Sequence, residues 1–150
     1  MSRRNLRLAA AAVALLAALA AGGLLWQRST TDSAAAAVIA QGRAVYQDAC
    51  AACHGANLEG QPDWRSALES GRMPAPPHDA SGHTWHHTDA VLLRILREGT
   101  AAVVGGGYES DMPGFADVLS EAEMAAVLAY IKSTWPSREA AYQQQLTAQQ

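Results

Sequence analysis

Cys50-Ala51-Ala52-Cys53-His54 sets the expectation for the whole fold. Two thiols with two residues between them, followed at once by an imidazole, have the spacing used for covalent haem attachment. Sulfurs so placed reach the two vinyl groups on one edge of a porphyrin. The next side chain then lies under the ring centre, where it can bind iron. Two other readings of these residues compete. A redox disulfide also uses C-x-x-C, but that motif normally opens a helix beside a strand, and no strand pattern flanks this one. A zinc site needs two further Cys or suitably spaced His. Residues 78–87 hold four of the five histidines, which keeps zinc as an alternative.

The rest of the chain narrows the setting. It has 150 residues, a formal net charge of −3 and only 6% aromatics, a length that suits one small domain with flanking segments. No long Lys/Arg run is present, which argues against nucleic acid as a partner. Two cysteines cannot build a multi-disulfide scaffold. Arg3, Arg4 and Arg7 precede an apolar run, Leu8 to Trp26, made only of Leu, Ala, Val, Gly and Trp. Residues 1–30 therefore read as a signal peptide or N-terminal membrane anchor. The length of the run and its Trp26-Gln27-Arg28 edge favour a retained anchor, while Ala18-Leu19-Ala20 offers a cleavage site. The arginine asymmetry places the residues beyond 30 outside the cytoplasm, on the periplasmic face of an inner membrane. Ser2-Arg3-Arg4 also resembles a twin-arginine signal and is read as ordinary basic flanking. Residues 31–37 read as a linker, 38–136 as the globular domain and 137–150 as a Gln/Ala-rich polar tail. Between Val38 and Pro136 six Arg/Lys stand against twelve Asp/Glu, a net charge of −6.

Three helices are expected in the domain. Val38 to Cys50 carries Val38, Gly42, Val45, Tyr46 and Ala49 at helical spacings, with Gly42 and Tyr46 four apart on one face. Thr88 reads as the N-cap of a helix over Asp89–Glu98, with Val91, Leu92, Ile95 and Leu96 inward and Gly99 as its stop. Ser120 with Glu123 forms a capping box. Met124, Val127, Leu128, Ile131 and Trp135 then make an apolar stripe that Pro136 ends.

With the motif and these helices in place, residues 38–136 resemble a class I (small, monohaem) c-type cytochrome domain. The resemblance implies an all-α cytochrome c fold wrapped around one haem c, bound through Cys50 and Cys53. It implies His54 and a distal Met as the iron's two axial ligands. It also implies that the first and last helices cross at a Gly/aromatic pair, here Gly42 and Tyr46 against Tyr130. Met112, in Ser110-Asp111-Met112-Pro113-Gly114-Phe115, stands where that family carries its Met, and Pro113 biases it towards an extended backbone. Met73 comes too early in the family order, and Met124 sits on the apolar stripe. A Pro carbonyl that accepts the proximal imidazole N–H is a further family feature; Pro76 is the candidate, with Pro62 and Pro77 as alternatives.

The stretch His78 to His87 admits two readings: a second site for copper or zinc, or a loop of His and Trp side chains at the haem edge. His78, His83, His86 and His87 are also rivals to Met112 for the sixth position. The resulting expectation is an electron carrier rather than an enzyme, with redox proteins as partners and an acidic surface that favours a basic docking face. Alternatives are a haem subunit of a larger oxidase or dehydrogenase, and a haem sensor or peroxidase with a labile distal Met.

Overall fold

The structure is a computed structural model that describes residues 3–149, with side chains described at 16 and 19–149. Its contacts form two compact units, Met1–Ala37 and Val38–Gln150. The first is the leading part of a long helix, α1 (Arg3–Ala49). Residues 8–15, 17 and 18 of the expected anchor lie outside the described side chains. Among the described residues no helix is long and apolar enough to cross a membrane. Residues 31–37, expected as a linker, are helical. Their alanines are the strongest helix formers, and this outweighs the lack of an apolar stripe.

The second unit begins within α1 and continues through α2 (Ala51–His54), a 3-10 turn (Thr84–His86), α3 (Asp89–Glu98), α4 (Thr100–Val104), α5 (Glu121–Ser133) and α6 (Ser137–Ala148). No strand occurs among the described residues, in agreement with the all-α class expected from the sequence. α3 starts as expected, with the Thr88 side chain accepting from the Val91 N–H, and ends at Gly99. α5 starts on the Ser120/Glu123 capping box, in which each side chain satisfies the other residue's backbone N–H.

The core is built where α1 meets α5. Tyr46, Cys50, Leu58, Val127, Ile131 and Trp135 form one buried cluster, with Val45, Ala49 and Tyr130 packed against it. The helices touch backbone to backbone at Gly42, where a Cβ would run into the Ala126 carbonyl and lie 3.0 Å from the Tyr130 Cβ. One turn on, the Tyr46 and Tyr130 rings meet at 5.4 Å and 57°. The helix crossing implied by the resemblance is therefore present, with the residues named for it. Because Cys50 belongs to the same cluster, the core runs directly into the C-x-x-C-H turn.

The expected polar tail is instead a helix that docks. Gln143 of α6 is completely buried, with its Nε2 at 2.6 Å from Asp89 Oδ1, 3.0 Å from Thr147 Oγ1 and 3.2 Å from the His87 carbonyl. Asp89 in turn takes Lys132 Nζ from α5 at 2.6 Å. α6 is thus held to α3 and α5 through a shared carboxylate, and Tyr142 packs edge-on against Trp85 at 5.6 Å. Polar docking leaves no apolar periodicity, so the sequence reads as a tail.

The Gly42 contact yields a prediction whose sign opposes helix propensity. On an open helix face Gly→Ala stabilises by about 1 kcal/mol. Gly42→Ala is expected to destabilise the haem-loaded domain by about 1–3 kcal/mol, the usual cost of overpacking a tight contact. Urea denaturation measures it, and a neutral or stabilising result contradicts the close crossing.

Candidate haem-attachment site

The motif continues α1 around a bend. Cys50 donates its N–H to the Tyr46 carbonyl at 2.9 Å, so it still belongs to the helix, but its backbone (φ −120°, ψ −36°) turns the chain. One further turn, α2, carries Cys53 and His54, with the Cys53 and His54 N–H groups donating to the Cys50 carbonyl at 3.1 and 2.9 Å. Gly55, at φ +82°, stops it. The Tyr46 hydroxyl reaches out of the core to donate to the Gly55 carbonyl at 2.9 Å, and lies 3.3 Å from the His54 carbonyl. Tyr46 therefore packs the helix crossing and fixes the motif turn together. Its spacing in the sequence points only to the first role.

Cys50, Cys53 and His54 are brought together on this turn, and both thiols are unbridged. Cys50 is buried and Cys53 exposed. Burial, with a smaller contribution from Cys53, pushes the Cys50 thiol up to about 11.

His54 is buried, and its Nδ1 lies 2.9 Å from the Pro76 carbonyl oxygen. A carbonyl can only accept, so Nδ1 carries the proton and the ring's lone pair is on Nε2. Burial lowers the pKa of His54 below the ordinary histidine value, and the Pro76 bond partly opposes this. The ring is thus held neutral in the tautomer that a metal ligand requires. Of the three prolines considered from the sequence, Pro76 is the one in contact.

The segment that carries Pro76 is stitched to the chain just after the motif. Gln61 N–H donates to the Ala75 carbonyl at 2.9 Å, Ala75 N–H to Gln61 Oε1 at 2.8 Å, and His78 N–H to the Leu58 carbonyl at 2.8 Å. Pro76 and Pro77 have no N–H, so the stitching skips them and leaves the Pro76 carbonyl for the imidazole. His78 stacks face to face on His54, with centroids 4.0 Å apart and 23° between planes. It is anchored by Thr84 Oγ1 at 2.8 Å from its Nδ1 and by Trp135 Nε1, which donates to its carbonyl at 2.8 Å. Burial, then His54 and His83, push the His78 imidazole down to about 3. Lying along the His54 ring, His78 is on the same side of any iron that His54 binds and cannot be the opposite ligand.

The other histidines are engaged among aromatics. His83 stacks on Trp64 at 5.3 Å and His86 on Trp85 at 3.6 Å, while His83 and His87 meet edge-on at 5.5 Å. Among the described residues no group of three or more His, Cys, Asp or Glu could hold a metal ion.

Met112 stands on a separate support. Its loop lies against the end of α3, with Phe115 N–H donating to the Leu96 carbonyl at 2.8 Å and Ala116 N–H to that of Arg97 at 3.3 Å. Two glycines allow the approach. A Cβ at Gly99 would sit 3.0 Å from the Met112 carbonyl oxygen, and one at Gly114 only 2.6 Å from that of Arg97. On the solvent side Arg72 pairs with Glu109 and Asp111, the two acids just before Met112, and Ser110 Oγ accepts the Met112 N–H at 3.1 Å. None of these supports is visible in the residue pattern; the pairing of Gly99 with a Met-Pro-Gly turn is the available signal. Met124, by contrast, is buried at 1% exposure on α5, and Met73 is 36% exposed.

This donor set fits a haem c. Two unbridged thiols on one turn and an Nε2 left free by a fixed Nδ1 proton are groups that such a prosthetic group uses. No curated protein and no solved structure matches the chain. The cytochrome c family model matches residues 39–135, from the last turns of α1 to the end of the core at Trp135. The chain belongs to the cytochrome c family, whose members carry covalently bound haem c and use it for electron transfer.

Proposed function

We propose that this chain is an electron carrier, not an enzyme, with His54 and Met112 as the two axial ligands, held on the periplasmic face of a bacterial inner membrane by residues 8–26. The observation that carries the reading is the fixed His54 ring, with Nδ1 committed to Pro76 and Nε2 left as the donor. Bound haem c supplies a one-electron Fe(III)/Fe(II) couple.

The chain's own residues supply the rest. Cys50 and Cys53 fix the ring edge. Tyr46 and Gly60 hold the His54 backbone, the first by its hydroxyl and the second by an N–H donated to the His54 carbonyl at 2.8 Å. The Pro76 carbonyl holds the Nδ1 proton and so makes the imidazole a stronger donor. The α3 contacts and the Arg72 pairs hold the Met112 loop from two sides. Support from both sides suits a function in which neither ligand leaves when the charge changes. A filled sixth position also leaves no open place for oxygen or peroxide. His78 on the His54 face, and His83 and His86 stacked on tryptophans, support Met112 over three of the four rival histidines as the sixth ligand. The acidic balance of residues 38–136 supports a basic redox partner, with association that weakens as salt rises. The basic start and the apolar run from Leu8 to Trp26 support the anchor.

Two outcomes test this. Protein matured with haem should show the weak far-red Met–iron band when oxidised and bind no CO when reduced under native conditions. Met112→Ala should abolish the band and admit CO. Gly114→Ala, which drives a Cβ into the α3 carbonyls, should weaken the band in the same direction. CO binding by the unaltered protein would favour a sensor or peroxidase. Fractionation tests the location: full-length protein should sediment with membranes and need detergent for release, and release by salt alone contradicts the anchor.

A further inference from the structure

Two glycines press on Pro77, Gly60 at the peptide before it and Gly82 at the peptide after it. A Cβ at Gly60 would lie 2.7 Å from the Pro76 carbonyl carbon and 2.8 Å from the Pro77 Cδ, and would overlap the Pro77 nitrogen. A Cβ at Gly82 would lie 2.7 Å from the Pro77 carbonyl carbon and overlap its oxygen. Two backbones thus touch the segment closely only because neither residue has a side chain. The peptide that Gly60 touches is the one whose oxygen accepts the His54 Nδ1 proton, at 2.9 Å. The two prolines contribute no N–H of their own, so between the hydrogen bonds at Ala75 and His78 the segment is fixed by contact from Gly60 and Gly82 and by Thr84 Oγ1, which donates to the Pro77 carbonyl at 3.5 Å. Gly60 is coupled to the ligand a second way, because its N–H donates to the His54 carbonyl at 2.8 Å.

From this we infer that Gly60 and Gly82 are positioning residues for the proximal ligand: they set the length of the His54–Pro76 hydrogen bond and, through it, the reduction potential. The inference rests on His54 being an iron ligand, and not on the identity of the sixth ligand. A bond from Nδ1–H to a carbonyl raises the basicity of the imidazole at Nε2 and so favours the more positive iron. A side chain at Gly60 displaces the Pro76–Pro77 peptide directly and one at Gly82 displaces it through Pro77, and displacement from 2.9 Å weakens that bond. The oxidised state then loses support and the potential moves to more positive values.

The experiment uses haem-loaded protein and three variants. Gly60→Ala and Gly82→Ala introduce the contacts. Gly71→Ala is the control: its φ of +83° brings the same backbone strain as Gly60 at +70°, but nothing lies within 4 Å of its Cβ. Gly60→Ala and Gly82→Ala should each raise the potential, up to the 59 mV that a tenfold change in a one-electron equilibrium represents. Solvent exchange of the His54 Nδ1 proton, followed by NMR, should be at least tenfold faster in both. Gly71→Ala should leave potential and exchange unchanged.

Unchanged potential and exchange in Gly60→Ala and Gly82→Ala overturn the inference, as does an equal shift in Gly71→Ala. Loss of haem from both contact variants also overturns it, since the glycines are then a requirement for folding. Should Gly60→Ala alone lose its haem, Gly82→Ala, which has no positive φ, decides the outcome. Failure of the electron-carrier reading shows separately, as CO binding or a missing far-red band in the unaltered protein.

Discussion

The close approach of α1 to α5 at Gly42 is the contact on which the rest of the domain depends. Only with the two backbones in contact does Tyr46 reach full burial between Val127 and Ile131. A buried tyrosine needs a partner for its hydroxyl, and the Gly55 carbonyl supplies one. The helix crossing thereby determines where α1 ends and how the next turn is aimed. Cys50 completes the buried cluster from the same side. Burial of apolar surface, one buried hydroxyl and the direction of the His54 ring form a single chain of cause.

Around this turn the domain uses the same device on both sides. Pro76 and Met112 each lie on an irregular segment, and each segment is pressed against regular or stitched backbone at positions that only glycine tolerates. Beside Pro76–Pro77 the neighbours are Gly60 and Gly82, and beside the Met112 loop Gly99 and Gly114. Loops are ordinarily the softest parts of a small domain. Here the loops that carry Pro76 and the proposed ligand Met112 are fixed by contact with backbone, which cannot change rotamer. Arg72 adds exposed ion pairs next to the Met112 loop; at exposed sites such pairs contribute little stability, so the glycine contacts do most of the positioning.

Much of this is legible in the sequence, for reasons that differ by element. Helices α3 and α5 announce themselves through Thr88, Gly99, Ser120 and Glu123, because capping is a local interaction between residues three or four apart. The attachment turn is likewise local. The Gly42/Tyr46–Tyr130 crossing joins residues more than eighty apart, and it comes from the resemblance, not from periodicity. α6 reads as a polar tail because it docks through Gln143, Asp89 and Lys132, and hydrogen-bonded burial has no hydropathy signature. The glycine contacts are also silent: a glycine in a loop looks the same whether it faces solvent, as Gly71 does, or a peptide, as Gly60 does.

The central claim is that Cys50 and Cys53 hold the prosthetic group through covalent bonds, with His54 beneath it. Acid–acetone extraction of protein made with a haem-maturation system tests it most directly. The account predicts that the haem absorption stays with the polypeptide, and that Cys50→Ala/Cys53→Ala protein releases whatever haem it holds into the solvent phase. Complete extraction of haem from the unaltered protein would contradict the account and leave the thiols of the α2 turn without the role assigned to them.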